Sequence, residues 1–274
     1  MNKKLRDAIY GLAIGDALGV PYEFEERGDF ECTEMVGYGT HGQPEGTWSD
    51  DTSMTIATAK SLKDNGGKIL THDMLDNFRR WYGEEDFNCN GVCFDIGRST
   101  GTALVTGRPQ TGERDNGNGS LMRILPLAFV DCTDEEIREV SAITHGHEIS
   151  MQACVIYVQV ARRLLAGETI REIIPTLKYG KPFDRLCVID RFEERDIKST
   201  GFVVHTLEAS LWVLAKYDNF KDTVLAAVNL GDDTDTTGAV AGGLAGIVYG
   251  LEDDFARECL EVLRGKDMIE RCLW

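Results

Sequence analysis

Apolar residues recur along this chain with a helical period. Val204, Leu207, Leu211 and Leu214 fall three, four and three apart, on one face of a helix. Val155, Val158, Ala161 and Leu165 repeat the pattern, with Arg162 as a polar exception. Residues 134–144 open on Asp134-Glu135-Glu136, the acidic first turn that a helix dipole favours. The segments 3–18, 50–64, 71–81, 219–229 and 252–264 also read as helices. Alternation with a period of two is scarce, so the pattern predicts an all-α protein over an α/β one.

Two stretches break the helical pattern. Residues 83–120 are rich in Gly, Asn, Asp and Thr, with at most a short helix around 94–105. A loop region of that length inside a compact domain is usually functional or disordered. Residues 178–199 are charged and contain Pro182, which predicts an exposed connection. There is no internal repeat, low-complexity tract or linker to divide the chain, so residues 1–274 are expected to form one domain.

Composition narrows the function. The 29 basic and 46 acidic side chains give a net charge of -17. Such a surface repels a phosphate backbone and an anionic membrane alike, which disfavours sequence-independent nucleic-acid binding and membrane attachment. An anionic small ligand would need a local site. The chain carries 8 cysteines. Several lie in apolar helical runs such as Ala153-Cys154-Val155-Ile156 and read as free buried thiols. Cys89 and Cys93 lack a matching Cys or His pair nearby, which argues against zinc. Lys3, Lys4 and Arg6 precede an apolar stretch, but Asp7 and Asp16 interrupt it and no small-residue cleavage site follows. No run approaches the ~20 apolar residues of a membrane span. The expectation is a soluble, cytoplasmic protein.

Five features bear on chemistry. Trp48-Ser49-Asp50-Asp51-Thr52-Ser53-Met54 opens a helix, and its plain reading is an N-cap. Two adjacent carboxylates beside hydroxyls exceed what a cap needs, and hard divalent cations take such oxygens. Gly231-Asp232-Asp233-Thr234-Asp235-Thr236-Thr237 precedes a helix poor in bulk, Ala239-Val240-Ala241-Gly242-Gly243. Three Asp in four residues repel one another without a cation. The run matches the first half of an EF-hand loop but has Leu244 where the bidentate Glu belongs. Asp115-Asn116-Gly117-Asn118-Gly119-Ser120-Leu121-Met122-Arg123 puts glycines before an apolar segment. If that segment is a helix, its N-terminus and the loop amides can face a phosphate; a plain loop and cap is the alternative. Thr144-His145-Gly146-His147-Glu148 is not a zinc motif and offers one polar contact or an incidental turn. Asp16 lies inside an apolar helix, where a carboxylate must find donors, and Glu23 follows Pro21 just beyond it.

Together, and in order from about residue 5 to residue 250, these features resemble the ADP-ribosylglycohydrolase family, which includes dinitrogenase reductase-activating glycohydrolase and ADP-ribosylarginine hydrolase. The most specific parts are Ser49-Asp50-Asp51-Thr52 and the run from Gly231 to Thr237, with Asn118-Gly119-Ser120-Leu121-Met122-Arg123 between them. The resemblance implies a compact, single-domain, orthogonal all-α bundle with two Mg²⁺ ions in a cleft, Mn²⁺ being the alternative ion. Carried over by motif, the ligands are Ser49, Asp50, Asp51, Asp233, Asp235 and Thr236. Ser49 stands where relatives often have Thr, and Asp232 where Gly is frequent, so Asp232 is left out of the ligands or given a supporting role.

The implied catalytic residues are Glu23, which matches a mobile acidic residue of the family, with Asp50 and Asp235. Asn116, Gly117, Asn118, Gly119, Ser120 and His145 match positions that hold ADP-ribose. The implied reaction is magnesium-dependent hydrolysis of the bond between ADP-ribose and an acceptor, with free ADP-ribose released. Its partner would be an ADP-ribosylated protein or a small ADP-riboside. Asp95, in the variable loop, can pair with an acceptor guanidinium, which favours arginine, or it can simply cap the helix that follows. Two other classes stay open: a Mg-dependent hydrolase of another nucleotide or phosphate ester, and a non-catalytic ADP-ribose binder.

Overall fold

The computed structural model describes residues 2–83 and 86–274. Its helices run in chain order as α1 (Lys3–Gly19), α2 (Asp50–Asp64), α3 (Thr71–Tyr82), α4 (Arg98–Thr106), α5 (Asp134–Ser141) and α6 (Glu148–Leu165), then α7 (Ile170–Ile173), α8 (Val203–Lys216), α9 (Phe220–Val228), α10 (Thr234–Tyr249), α11 (Asp254–Val262) and α12 (Lys266–Cys272). Among the described residues, β pairing is limited to isolated bridges such as Tyr38 with Gln43. The all-α expectation holds, and among the described residues no helix is long and apolar enough to cross a membrane.

Caps account for most helix boundaries. Asn2 accepts the Lys4 and Leu5 amides ahead of α1. Thr133 and Glu136 form a reciprocal capping box at α5. The segment expected at 252–264 begins at Asp254, because Asp253 accepts the Ala256 amide and so stands outside the helix. The short helix expected around 94–105 begins at Arg98, after Asp95 takes a left-handed φ of 55° that no helix continues through. Two short helices had no clear periodic signal, α7 and α12.

The centre of the fold is the contact between α1 and α10, and glycine makes it. Gly11, Gly15 and Gly19 lie four apart on α1, as do Gly238, Gly242 and Gly246 on α10, so each set forms one straight row. A Cβ at Gly15 would sit 2.0 Å from the Gly238 carbonyl oxygen, and one at Gly11 would sit 2.4 Å from that of Gly242. The two backbones touch, which no residue with a side chain would permit. At Gly19 the approach reaches the start of α10, where a Cβ would lie 2.3 Å from the Asp235 Cα. Around this pair, α8 and α9 cover α10, while α2 lies on α1. The resulting core is one cluster of buried side chains running from Leu5 to Leu273.

Candidate active site

The start of α2 is anchored from below by α1. Asp16, fully buried, accepts the Ser49 amide at 2.8 Å, the Thr52 amide at 3.0 Å and the Thr52 hydroxyl at 2.6 Å. The donors required of a carboxylate inside an apolar helix are therefore found in another helix. Ser49 is the N-cap, and its hydroxyl both accepts from the Asp51 amide and donates to Asp51 Oδ2. Asp50 and Asp51 are both buried and supply no capping bond.

The start of α10 meets that of α2 across the end of α1. The Thr236 hydroxyl donates to Asp51 Oδ2 at 3.3 Å, joining two helix starts that are 185 residues apart in sequence. Asp235 Oδ1 accepts the Thr236 amide at 2.8 Å, and Asp233 Oδ2 accepts from Asn118 Nδ2 at 2.9 Å. Asp232 stands with φ 60° and its side chain exposed, so it supports none of these carboxylates directly. Its role is in the backbone. The Phe24 amide donates to the Asp232 carbonyl at 2.7 Å, and the Asp232 amide donates to the Glu25 carbonyl at 2.9 Å. That pair of bonds fastens the loop bearing Glu23 to the loop bearing Asp233.

Glu23, Asp233 and Asp235 each bring an oxygen within 4.8 Å of the others, and Glu23 also groups with His41 and Asp95 in the same way. His41 Nε2 makes a short contact with Glu23 Oε2. Sequence reading missed His41, which ends a short 3₁₀ segment, Gly39–His41, and acquires meaning only through this contact. The His41 ring lies near two aromatic rings, 6.2 Å from Phe24 and 5.3 Å from Phe94. Phe24 is 69% exposed and has φ 69°, an unusual backbone for a bulky residue, and it stands at the cleft mouth.

Electrostatics in this cluster are unfavourable as they stand. Burial, and then the neighbouring carboxylates, push Asp50, Asp51 and Asp235 well above the usual carboxylate range. Burial also pushes Glu23 up to about 7, against the pull of His41. Asp51 Oδ1, Asp233 Oδ1 and Asp235 Oδ2 are buried with no hydrogen-bond partner. Buried carboxylate oxygens without donors are costly. An all-oxygen set of carboxylates and hydroxyls that has this deficit fits a hard divalent cation.

Beside the carboxylates opens a cleft of about 390 Å³, lined by Glu23, Asp50, Asp95, Asp233 and Thr236 together with Gly117, Asn118, Gly119 and His145. Asn116 and Ser120 are not on that wall. Asn116 accepts from Ser150 and donates to the Glu113 carbonyl, while the Ser120 hydroxyl accepts from Ser141. They hold the loop from behind. The Asn118 amide is taken by the Gly201 carbonyl at 3.1 Å, so the loop does not present every amide to a ligand. Nor does a long helix follow. Residues 118–123 form turns and lead to a 3₁₀ segment, Leu125–Phe129, because Pro126 has no amide to continue an α-helix. The expected helix dipole behind the loop is therefore absent. A larger recess of about 800 Å³ between Leu62 and Trp274 shares no lining residue with the carboxylate cleft.

Residues 1–273 match the family model described as ADP-ribosylglycohydrolase. The chain belongs to the ADP-ribosylglycohydrolase family. It is 33% identical over 264 residues to the ADP-ribosylarginine hydrolase Tri1 of Pseudomonas putida (strain GB-1), covering 90% of this chain and 71% of that protein. It is 31% identical to the ADP-ribosyl-[dinitrogen reductase] glycohydrolase of Rhodospirillum rubrum, over 90% of this chain and 85% of the relative. Among solved structures, an ADP-ribosylglycohydrolase-related protein complex superposes with a TM-score of 0.81 at 31% identity, covering 98% of this chain and 95% of the other. Membership makes this chain an enzyme of the glycosidase class, and the all-α bundle is the family's fold.

Proposed function

We propose that this chain, working as one domain over residues 1–274, hydrolyses the bond between ADP-ribose and an arginine side chain in a magnesium-dependent reaction that releases free ADP-ribose. The observation that carries the reading is the meeting of two helix starts. Ser49, Asp50 and Asp51 on one side face Asp233, Asp235 and Thr236 on the other, with three buried carboxylate oxygens left without donors. These six residues would hold two Mg²⁺ ions, or Mn²⁺ in their place. Ions bound there supply positive charge against the carboxylates, a grip on sugar hydroxyls and an acidified water.

The chain's own residues do the rest. Asp50 and Asp235 place negative charge beside the anomeric carbon, where an oxocarbenium-like state develops. Glu23, steered by His41 and poised near neutrality, exchanges a proton with water or with the departing acceptor. Gly117, Asn118, Gly119 and His145 form the wall against which ADP-ribose lies, with Asn116 and Ser120 fixing that wall. At the mouth, Asp95 offers a carboxylate to a guanidinium, and the exposed Phe24 offers a ring face. A planar cation suits both groups, which favours arginine over serine as the acceptor. The two relatives described above are named for acting on ADP-ribosylarginine and on ADP-ribosylated dinitrogen reductase.

The test is release of free ADP-ribose from arginine-linked and serine-linked ADP-ribosyl peptides, with Mg²⁺ and with EDTA. Magnesium-dependent release from the arginine linkage is expected. Release of phosphate or a monophosphate instead, or turnover undiminished by EDTA, would refute the proposal.

A further inference from the structure

Arg123 is the largest buried charge outside the carboxylate cluster, and nothing in the proposed reaction uses it. The side chain is fully buried, and no carboxylate pairs with it among the described residues. Its guanidinium lies over the Phe78 ring, donates twice to the Val140 carbonyl and leaves Nε without a partner. A lone cation held this way is an expensive arrangement in any core. Its remaining bond runs toward the cleft, with Nη2 donating to the Thr144 hydroxyl at 2.8 Å.

That bond determines what the hydroxyl does next. Thr144 is fully buried, and the other polar contact of its hydroxyl is His145 Nδ1 at 2.8 Å. The guanidinium can only donate, so the hydroxyl oxygen accepts from it and the single hydroxyl hydrogen is free for Nδ1. The oxygen could also accept from an Nδ1–H, but the hydroxyl hydrogen would then be buried without an acceptor, so Nδ1 accepts and carries no proton of its own. The proton of a neutral His145 then belongs on Nε2, the edge that faces Gly117 and Gly119 on the cleft wall. The ring is kept neutral, since burial and the nearby Arg123 charge push it down to about 3. The backbone holds the residue in place as well, because the Gln110 amide donates to the Thr144 carbonyl and the Gly146 amide to the Gln110 carbonyl, each at 2.8 Å.

We propose that Arg123 and Thr144 are positioning residues that lock His145 as a neutral Nε2–H donor, aimed at an anionic oxygen of the diphosphate in the cleft. The opposite tautomer would present a bare nitrogen and repel that oxygen. The relay also aligns the buried Arg123 charge behind the donor, which strengthens it toward an anion in a protein that is otherwise strongly acidic. This inference rests on reading the cleft as an ADP-ribose site, but the tautomer can be measured with no ligand at all.

The experiment is nitrogen-15 NMR of histidine-labelled full-length protein, together with titration of the Mg²⁺-loaded chain with free ADP-ribose. The wild type is expected to show His145 with a bare, hydrogen-bonded Nδ1 and a protonated Nε2. In Thr144→Val the Nδ1 resonance should move as its donor is lost, and ADP-ribose affinity should fall about tenfold. Thr144→Ser, which restores the hydroxyl, should return both to wild-type values. A protonated Nδ1 in the wild type would overturn the relay, as would a Thr144→Val spectrum and affinity that match the wild type. The expected tautomer in a wild-type chain that fails to bind ADP-ribose would support the relay and count against the proposed function.

Discussion

Replacing Asp16 with Ala tests the link between α1 and the start of α2. The substitution removes the acceptor for two backbone amides and one hydroxyl. The hydroxyl can rotate to another acceptor, but the Ser49 and Thr52 amides cannot, and each buried donor left unmade costs roughly 1–3 kcal/mol. An opposing effect is comparable in size. Burial pushes Asp16 up to about 6, so keeping it ionised at neutral pH already opposes folding by roughly 3 kcal/mol, and the variant is relieved of that. The net effect lies between a gain of about 1 and a loss of about 3 kcal/mol, below the ~5–15 kcal/mol that holds a typical domain. The variant should therefore fold.

Its site should not survive as well. Without Asp16 the Ser49 and Thr52 amides lose their anchor on α1, and the weak 3.3 Å bond from Thr236 to Asp51 is left to hold Ser49, Asp50 and Asp51 toward α10. Loss of such a supporting contact typically weakens a metal site about 10- to 100-fold. The assay is ADP-ribose release as a function of Mg²⁺ concentration, with circular dichroism confirming the fold. A half-saturating Mg²⁺ concentration within about twofold of wild type would refute the argument that Asp16 positions the cluster.

Other outcomes follow from the same geometry. Because burial raises Asp50, Asp51 and Asp235, the metal-free folded chain holds more protons than the unfolded chain above the ordinary carboxylate range, about pH 4. Its stability then falls as pH rises, so the gain in Tm from Mg²⁺ over EDTA should be larger at pH 8 than at pH 5. Asp235→Asn should shrink that gain at every pH and abolish turnover; an unchanged gain would remove Asp235 from the ligands. Gly15→Ala drives a Cβ into the Gly238 carbonyl and should cost roughly 1–3 kcal/mol or more in urea unfolding, whereas Gly180→Ala, whose Cβ meets nothing within 4 Å, should cost little. Phe24→Ala should raise KM for an arginine-linked peptide about 2- to 30-fold. Inhibition by free ADP-ribose, which lacks the acceptor, should stay the same, and a parallel loss of that inhibition would place Phe24 elsewhere in the reaction.

The helical class was legible in the sequence because a period of 3.6 leaves a trace at every turn, as it does in α6 and α8. The acidic runs at 50–51 and 233–235 were legible for a similar reason: adjacent carboxylates at a helix start are a local oddity that needs no knowledge of the fold. The need of Asp16 for donors was also readable, since a carboxylate on an apolar face must be satisfied by something.

The partners were not readable. That Asp16 binds α2, that Thr236 reaches Asp51 and that His41 touches Glu23 are contacts between segments with no shared pattern. The Thr236 contact exists because two glycine rows let α1 and α10 approach until their backbones meet, which carries the start of α10 to the end of α1. The loop at 116–123 shows the limit most clearly. Its composition suggested amides backed by a helix, but Pro126 and the Gly201 carbonyl decided otherwise. Local composition determined which groups were available for chemistry. Only packing decided which of them face one another, because hydrogen bonds and charge repulsion act over a few ångströms of space and not along the chain.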